Sequence, residues 1–261
     1  MSQAEQERFA TAVLKMREND EGRPGSSQYF RLAVIHGGME PLPNPEYCAH
    51  RRECFPTWHR PYLLDFERTM RKADIACGGD GSLGLPYWDW TEVEVEGEVL
   101  PAIIRRRLMA EYPADFFGDG SSIVRPFPGR HNYSMAATRD DHTLKQYILQ
   151  SGIAEDASSC LLSGNHAQHA CTAYSDHRHR SLETPHNKIH GMVGGIMASF
   201  QSSFHPIFWL HHCNVDRIYE SYLALEPDSA FEFERHQQRV PSNGQGVPGQ
   251  RHPSLILAAP A

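Results

Sequence analysis

The sequence predicts one mainly α-helical domain held together by long loops, with little β structure. Three observations predict it. Apolar residues recur at helical spacing in the stretches 3–18, 28–36, 57–73 and 204–222, and segments rich in Pro, Gly, Ser and Asp separate them. No strand alternates with a helix in the βαβ manner, and there is no GxGxxG or GxxxxGK[ST] loop to cradle a phosphate. At 261 residues the chain suits a single domain, 1–261, which can bury roughly three quarters of its unfolded surface.

The first helix carries Phe9, Val13 and Met16 on one face and ends at the polar stretch "ENDEGRPGSS". The second runs over 28–36 with Tyr29, Leu32, Ala33 and His36 together, and Gly37 and Gly38 stop it. "MEPLPNPEYCAHRRECFP" has four prolines and is irregular. Helical periodicity resumes in "TWHRPYLLDFERTMRKA" with Leu63, Phe66 and Met70 aligned; Pro61 is expected in the first turn, which puts His59 near the N-terminus. "LGLPYWDWT" reads as extended, "EVEVEGEVL" as a short surface hairpin, 101–111 and 139–150 as helices, and 112–135 and 151–180 as loops. The last residues, about 226–261, read as an irregular tail.

Composition narrows the function. A formal charge of −7 gives no basic face for nucleic acid or anionic lipid, and no stretch approaches the ~20 apolar residues of a membrane span. The partners expected are small molecules. The polar start lacks the pattern of a secretory signal, so a cytoplasmic protein, or one released without such a signal, is expected. Six cysteines without a CxxC pair do not make a disulfide framework in a chain this long. The unusual count is sixteen histidines.

"ETPHNKIHGMVGG" places His186 and His190 at i and i+4 on one helix face, with Thr184 expected as N-cap and Pro185 as the first helical residue. In "FHPIFWLHHCNVDRIYESY", Phe208, His212, Val215 and Tyr219 share the inward stripe. Asp216 follows His212 by one turn and is a candidate carboxylate partner of its ring, or equally an anchor for a neighbouring loop. His211 points elsewhere, as a packed core or supporting histidine. A second triple comes from His36 at a helix end, His50 in the proline-rich loop and His59 at a helix start. Two helical pairs and two loop arms bring six imidazoles around one bundle-core cavity. All-imidazole ligation suits copper, zinc, iron or nickel. Asn187 stands where an HExxH zinc hydrolase has its glutamate, and carboxylates are missing from the inward positions a di-iron bundle needs.

Four motifs, "YCAHRRECFPTWHRPYLLDFE", "LPYWDWT", "HNKIHGMVGG" and "HPIFWLHHCNVDR", together resemble the type 3 copper proteins: tyrosinases, catechol oxidases and molluscan haemocyanin units. The resemblance spans about residues 29–222. It implies a four-helix bundle holding two copper ions that bind dioxygen, the first through His36, His50 and His59, the second through His186, His190 and His212. It also implies a thioether between Cys48 and the ring of His50, a water held by Glu183 and Asn187 for deprotonating a monophenol, and a gate at Phe200. Gly191 leaves room at the entrance for substituted phenols. Where relatives usually have Asp-Pro at the start of the last helix, this chain has His205-Pro206, so that turn is expected to be held differently. Histidines 131, 142, 166, 169, 177, 179, 236 and 252 are expected at the surface.

The implied activity is oxidation of o-diphenols to o-quinones with dioxygen, together with ortho-hydroxylation of monophenols. Two alternatives stay open: a catechol or o-aminophenol oxidase without the hydroxylase step, and a haemocyanin-like oxygen binder. The chain ends about 45 residues after the last ligand motif, too few for a shielding domain. An open pocket and an enzyme are the expectation.

Overall fold

The computed structural model describes residues 1–23, 25–37, 48–93, 97–109, 123–124, 133–134, 138–175 and 179–229. Among the described residues eight α-helices dominate: α1 (Gln3–Met16), α2 (Gln28–Gly37), α3 (Phe55–Ala76), α4 (Asp141–Gln150), α5 (Ile153–Cys160), α6 (His166–Ala170), α7 (Glu183–Val193) and α8 (Pro206–Leu225). The strands described are a two-residue antiparallel pair, Ile123–Val124 against Tyr133–Ser134. The mainly helical expectation holds. Residues 94–96 of the proposed hairpin, the tail beyond Ser229, and histidines 131, 177, 236 and 252 lie outside the described residues.

Local chemistry starts these helices. Ser2 and Glu5 form a reciprocal capping box at α1, with Ser2 N–H donating to Glu5 Oε2 at 2.7 Å. α3 begins at Phe55, earlier than the sequence suggests, so Pro61 lies inside the helix rather than in its first turn. An interior proline costs about 3 kcal/mol. The stripe Phe55, Trp58, His59, Tyr62, Leu63, Phe66 and Met70, all buried, offsets that cost.

Helices α2, α3, α7 and α8 form the core that carries the expected ligands, and α1 packs along α3. Its centre is aromatic: Trp209 of α8 stacks on Phe66 of α3 at 3.9 Å, Tyr62 lies 4.9 Å from Trp209, and Tyr29 of α2 meets both Phe66 and Trp209 edge-on. Such ring pairs are worth about 0.5–1.5 kcal/mol each beyond the area they bury. Their polar handles are used. Trp209 Nε1–H donates to Tyr29 Oη, which donates to the Phe204 carbonyl, and Tyr62 Oη donates to the Leu32 carbonyl. Helices α2, α3 and α8 are thus fixed in register one to two turns from their histidines.

The segment 151–180 departs from its expected loop character, because α5 and α6 lie within it. Asn165 caps α6, accepting from Gln168 N–H at 3.0 Å. His166 and His169, expected at the surface, are buried. His169 stacks on Tyr222 of α8 at 3.7 Å, and its carbonyl accepts from Leu182 N–H, so α6 props the start of α7.

Candidate metal centre

Each element delivers its histidine for a local reason. His36 is the penultimate residue of α2, and Gly37 beyond it touches the backbone of Phe200: a Cβ there would fall 1.9 Å from the Phe200 carbonyl oxygen. That close approach lets the Phe200 carbonyl accept from His36 Nδ1 at 3.0 Å. His59, buried in the second turn of α3, gives its Nδ1–H to the Phe55 carbonyl at 2.7 Å. On α7, His186 Nδ1 meets Asn187 Oδ1 at 2.9 Å and His190 Nδ1 meets the Met197 carbonyl at 2.6 Å. In all four the oxygen acceptor places the ring proton on Nδ1 and leaves Nε2 with a free lone pair.

These bare nitrogens converge. Nε2 of His212 lies 3.2 Å from Nε2 of His186 and 3.3 Å from Nε2 of His190. Ligand nitrogens about 2.0–2.1 Å from a common metal at tetrahedral angles stand roughly 3.3 Å apart. Nε2 of His36 and of His59 is buried without a hydrogen-bond partner among the described residues. The rings of His36, His50 and His59 are mutually 5.5–5.7 Å apart, and His59 stacks on His212 at 4.5 Å, joining the two triples into one cluster. Burial, followed by the neighbouring imidazoles, pushes His36, His59, His186 and His212 well below the usual histidine pKa; burial takes His50 and His190 to about 4. Neutral imidazoles are the form a metal binds. Orphaned, buried, neutral nitrogens in two adjoining triples fit a pair of imidazole-bound metal ions.

The structure places the remaining expected residues with mixed results. Cys48 is buried with Sγ 3.0 Å from Nδ1 of His50. Phe200 is 43% exposed, and a Cβ added at Gly191 would meet nothing within 4 Å. His205 does cap α8, its Nδ1 accepting from Ile207 N–H at 3.1 Å, so the imidazole takes the place an aspartate would have.

Two expectations need correction. Asp216 does not support His212: it accepts from Arg60 Nε at 2.6 Å, and Nδ1 of His212 has no protein partner among the described residues. The guanidinium of α3, which also pairs with Glu220, is the stronger attraction across the helix gap. Thr184 is not the N-cap, because α7 starts at Glu183. Glu183 consequently sits inside the first turn, fully buried; Oε1 accepts from Arg51 N–H at 2.7 Å, and Oε2 from Thr172 N–H and Oγ1–H at 2.9 and 2.8 Å. Arg51 lies in the left-handed region at φ 57°, so this carboxylate anchors a strained turn in the loop bearing His50.

Sequence reasoning missed the carbonyls of Phe200, Met197 and Phe55 as orienting groups. They are backbone atoms, and residue identity carries no sign of them.

A helical core that gathers buried imidazoles from α2, α3, α7 and α8 into one cluster is the arrangement the resemblance to type 3 copper proteins implies. Residues 26–225 match the family described as the common central domain of tyrosinase. The chain belongs to the tyrosinase family. It is 28% identical over 244 residues to a tyrosinase of Streptomyces antibioticus, covering 87% of this chain and 81% of that one. It is 32% identical over 238 residues to haemocyanin A-type, units Ode to Odg, of Enteroctopus dofleini, covering 87% of this chain and 17% of that polypeptide. The structure of recombinant mushroom tyrosinase superposes with a TM-score of 0.58 at 23% identity, covering 84% of this chain and 49% of that one. This chain thus spans about half the length of that protein.

Proposed function

We propose that the chain is a dicopper phenol oxidase that oxidises o-diphenols to o-quinones at the expense of dioxygen and also ortho-hydroxylates monophenols. The observation that supports this reading is the run of buried or half-buried imidazole groups, His36 with His59 and His212, His36 with Cys48 and His50, and His186 and His190 with His211 and His212, with Phe200 and Gly191 exposed nearby in sequence. His36, His50 and His59 would hold one copper and His186, His190 and His212 the other, and the pair supplies oxygen binding and two-electron exchange with the phenol. The chain's own residues do the rest. Asn187, exposed beside His186, orients that ring through its Oδ1. Glu183 uses three of its roughly four acceptor positions on Arg51 and Thr172, and the remaining one holds a water that Asn187 shares. That water takes the proton from the phenol oxygen, the step hydroxylation adds to the oxidase reaction. The Phe200 ring stacks on or narrows the way for the incoming phenol.

Oxygen uptake with catechol and with tyrosine, measured alongside metal content, tests the proposal. Two coppers per chain and coloured quinone from catechol are expected. Reversible oxygen binding without turnover would make the protein a carrier, and bound zinc with no oxygen uptake would make it a hydrolase.

Two predictions concern the pocket. Phe200→Val is expected to raise turnover of bulky monophenols relative to catechol by about tenfold or more, since even one methylene's worth of pocket is worth about 1–3 kcal/mol of discrimination. An unchanged substrate profile would remove Phe200 from the entrance. A thioether between Cys48 and His50 is expected from their contact; it removes one hydrogen from the thiol and one from the ring, with copper and dioxygen as oxidant. Intact mass of the copper-loaded protein then falls by the mass of two hydrogen atoms. Alkylation of Cys48 in the unfolded protein would show that no such bond exists.

A further inference from the structure

Four imidazoles, one more than a triple, meet between α7 and α8: His186, His190, His211 and His212 each offer a ring nitrogen within 4.8 Å of the others. His211 is fully buried and lies face to face with His186, ring centroids 5.1 Å apart. Proximity alone would make it a ligand. What separates it is Trp90, also fully buried, whose indole Nε1–H donates to Nδ1 of His211 at 3.1 Å.

An indole nitrogen can only donate, so Nδ1 of His211 must present its lone pair to Trp90. An imidazolium has no lone pair to present. The ring is therefore neutral, and its single proton sits on Nε2. Both nitrogens of His211 are spent, one on the indole and the other on the proton, whichever of them faces the cavity.

Trp90 is held in place independently of the histidines. Its segment lies along α8: Trp88 N–H donates to the Leu210 carbonyl at 3.0 Å and Cys213 Sγ to the Leu85 carbonyl at 3.3 Å. Arg217 pairs with Asp89 and lies 4.7 Å over the Tyr87 ring. The indole is thus laced to the same helix that carries His211.

We infer that Trp90 is a positioning residue that selects the ligands of the second metal: by fixing His211 in the Nε2–H tautomer, it keeps a fourth imidazole out of the site. This rests on the copper reading of the cluster above. His211 then serves as a packed wall beside His186, with no lone pair to compete for the metal.

The tautomer is read directly in metal-free protein labelled with ¹⁵N histidine, the signals of His211 being those lost in His211→Asn. A bare Nδ1 and protonated Nε2 are expected in the wild type, with the opposite or a mixed tautomer in Trp90→Phe. A bare Nε2 in the wild type, or an unchanged tautomer in Trp90→Phe, overturns the inference. The wild-type spectrum decides even if the tryptophan variant does not fold. Copper content supplies the second arm. His212→Ala is expected to bind one copper per chain and W90F/H212A more than one, because His211 regains a lone pair; equal counts in the two variants overturn ligand selection by Trp90. Two coppers in His212→Ala would instead overturn His212 as a ligand, a separate failure that leaves the tautomer measurement standing.

Discussion

His212→Ala is expected to leave one copper per chain and to abolish both oxygen binding and catechol oxidation. Three features make this the largest single-residue effect. Nε2 of His212 lies 3.2–3.3 Å from both α7 ligand nitrogens, so its removal reduces a three-nitrogen set to two. His212 also belongs to the group His36, His59 and His212, where its ring stacks on His59 at 4.5 Å. The substitution therefore opens space against the first triple as well. Finally, Trp90 holds the adjacent His211 in the tautomer that cannot substitute for it. Loss of an outer hydrogen-bond partner of a ligand typically costs 10–100-fold in metal affinity, and loss of a ligand costs more. Copper analysis and oxygen uptake check the outcome, with His142→Ala as control because that exposed histidine hydrogen-bonds Gln146 in its own helix, away from the cluster. Full activity in His212→Ala would remove the residue from the centre.

The histidines were legible in the sequence because helical spacing is a statement about side chains on one element. His186 and His190 share a face by geometry alone, whereas both adjacent histidines of α8 are buried against them and spacing alone does not separate His211 from His212. What spacing cannot say is which neighbour waits across the gap. Asp216 shares a face with His212, yet its carboxylate is taken by Arg60, 156 residues away in sequence. His205 raised the opposite difficulty: the sequence marked the departure from aspartate, but only the buried geometry shows an imidazole nitrogen doing the same capping. Residues 151–180 read as loop because short polar helices such as His166–Ala170 carry too few apolar residues for periodicity to register. Their burial comes from Tyr219 and Tyr222 of α8, on which His169 stacks.

The substitution of Glu183 carries the second large effect. Buried, Glu183 gathers donors from Arg51, 132 residues away, and from Thr172, tying the His50 loop to the first turn of α7 and so one group of histidines to the other. Glu183→Gln keeps the shape but turns an N–H₂ toward one of those donors, leaving at least one buried N–H unsatisfied at about 1–3 kcal/mol. For a domain of this size that lowers Tm by roughly 2–4 °C per kcal/mol. Loosening of the His50 loop is expected to lower copper at the first triple, and displacement of the water is expected to depress tyrosine hydroxylation more than catechol oxidation. The two effects separate cleanly in one variant. A lowered Tm with an unchanged ratio of the two activities would make Glu183 a purely structural clamp; a wild-type Tm with the hydroxylase step lost would give it only the proton-handling role. The three hydrogen bonds to the carboxylate, with one acceptor position still open, lead to the expectation that both quantities fall together.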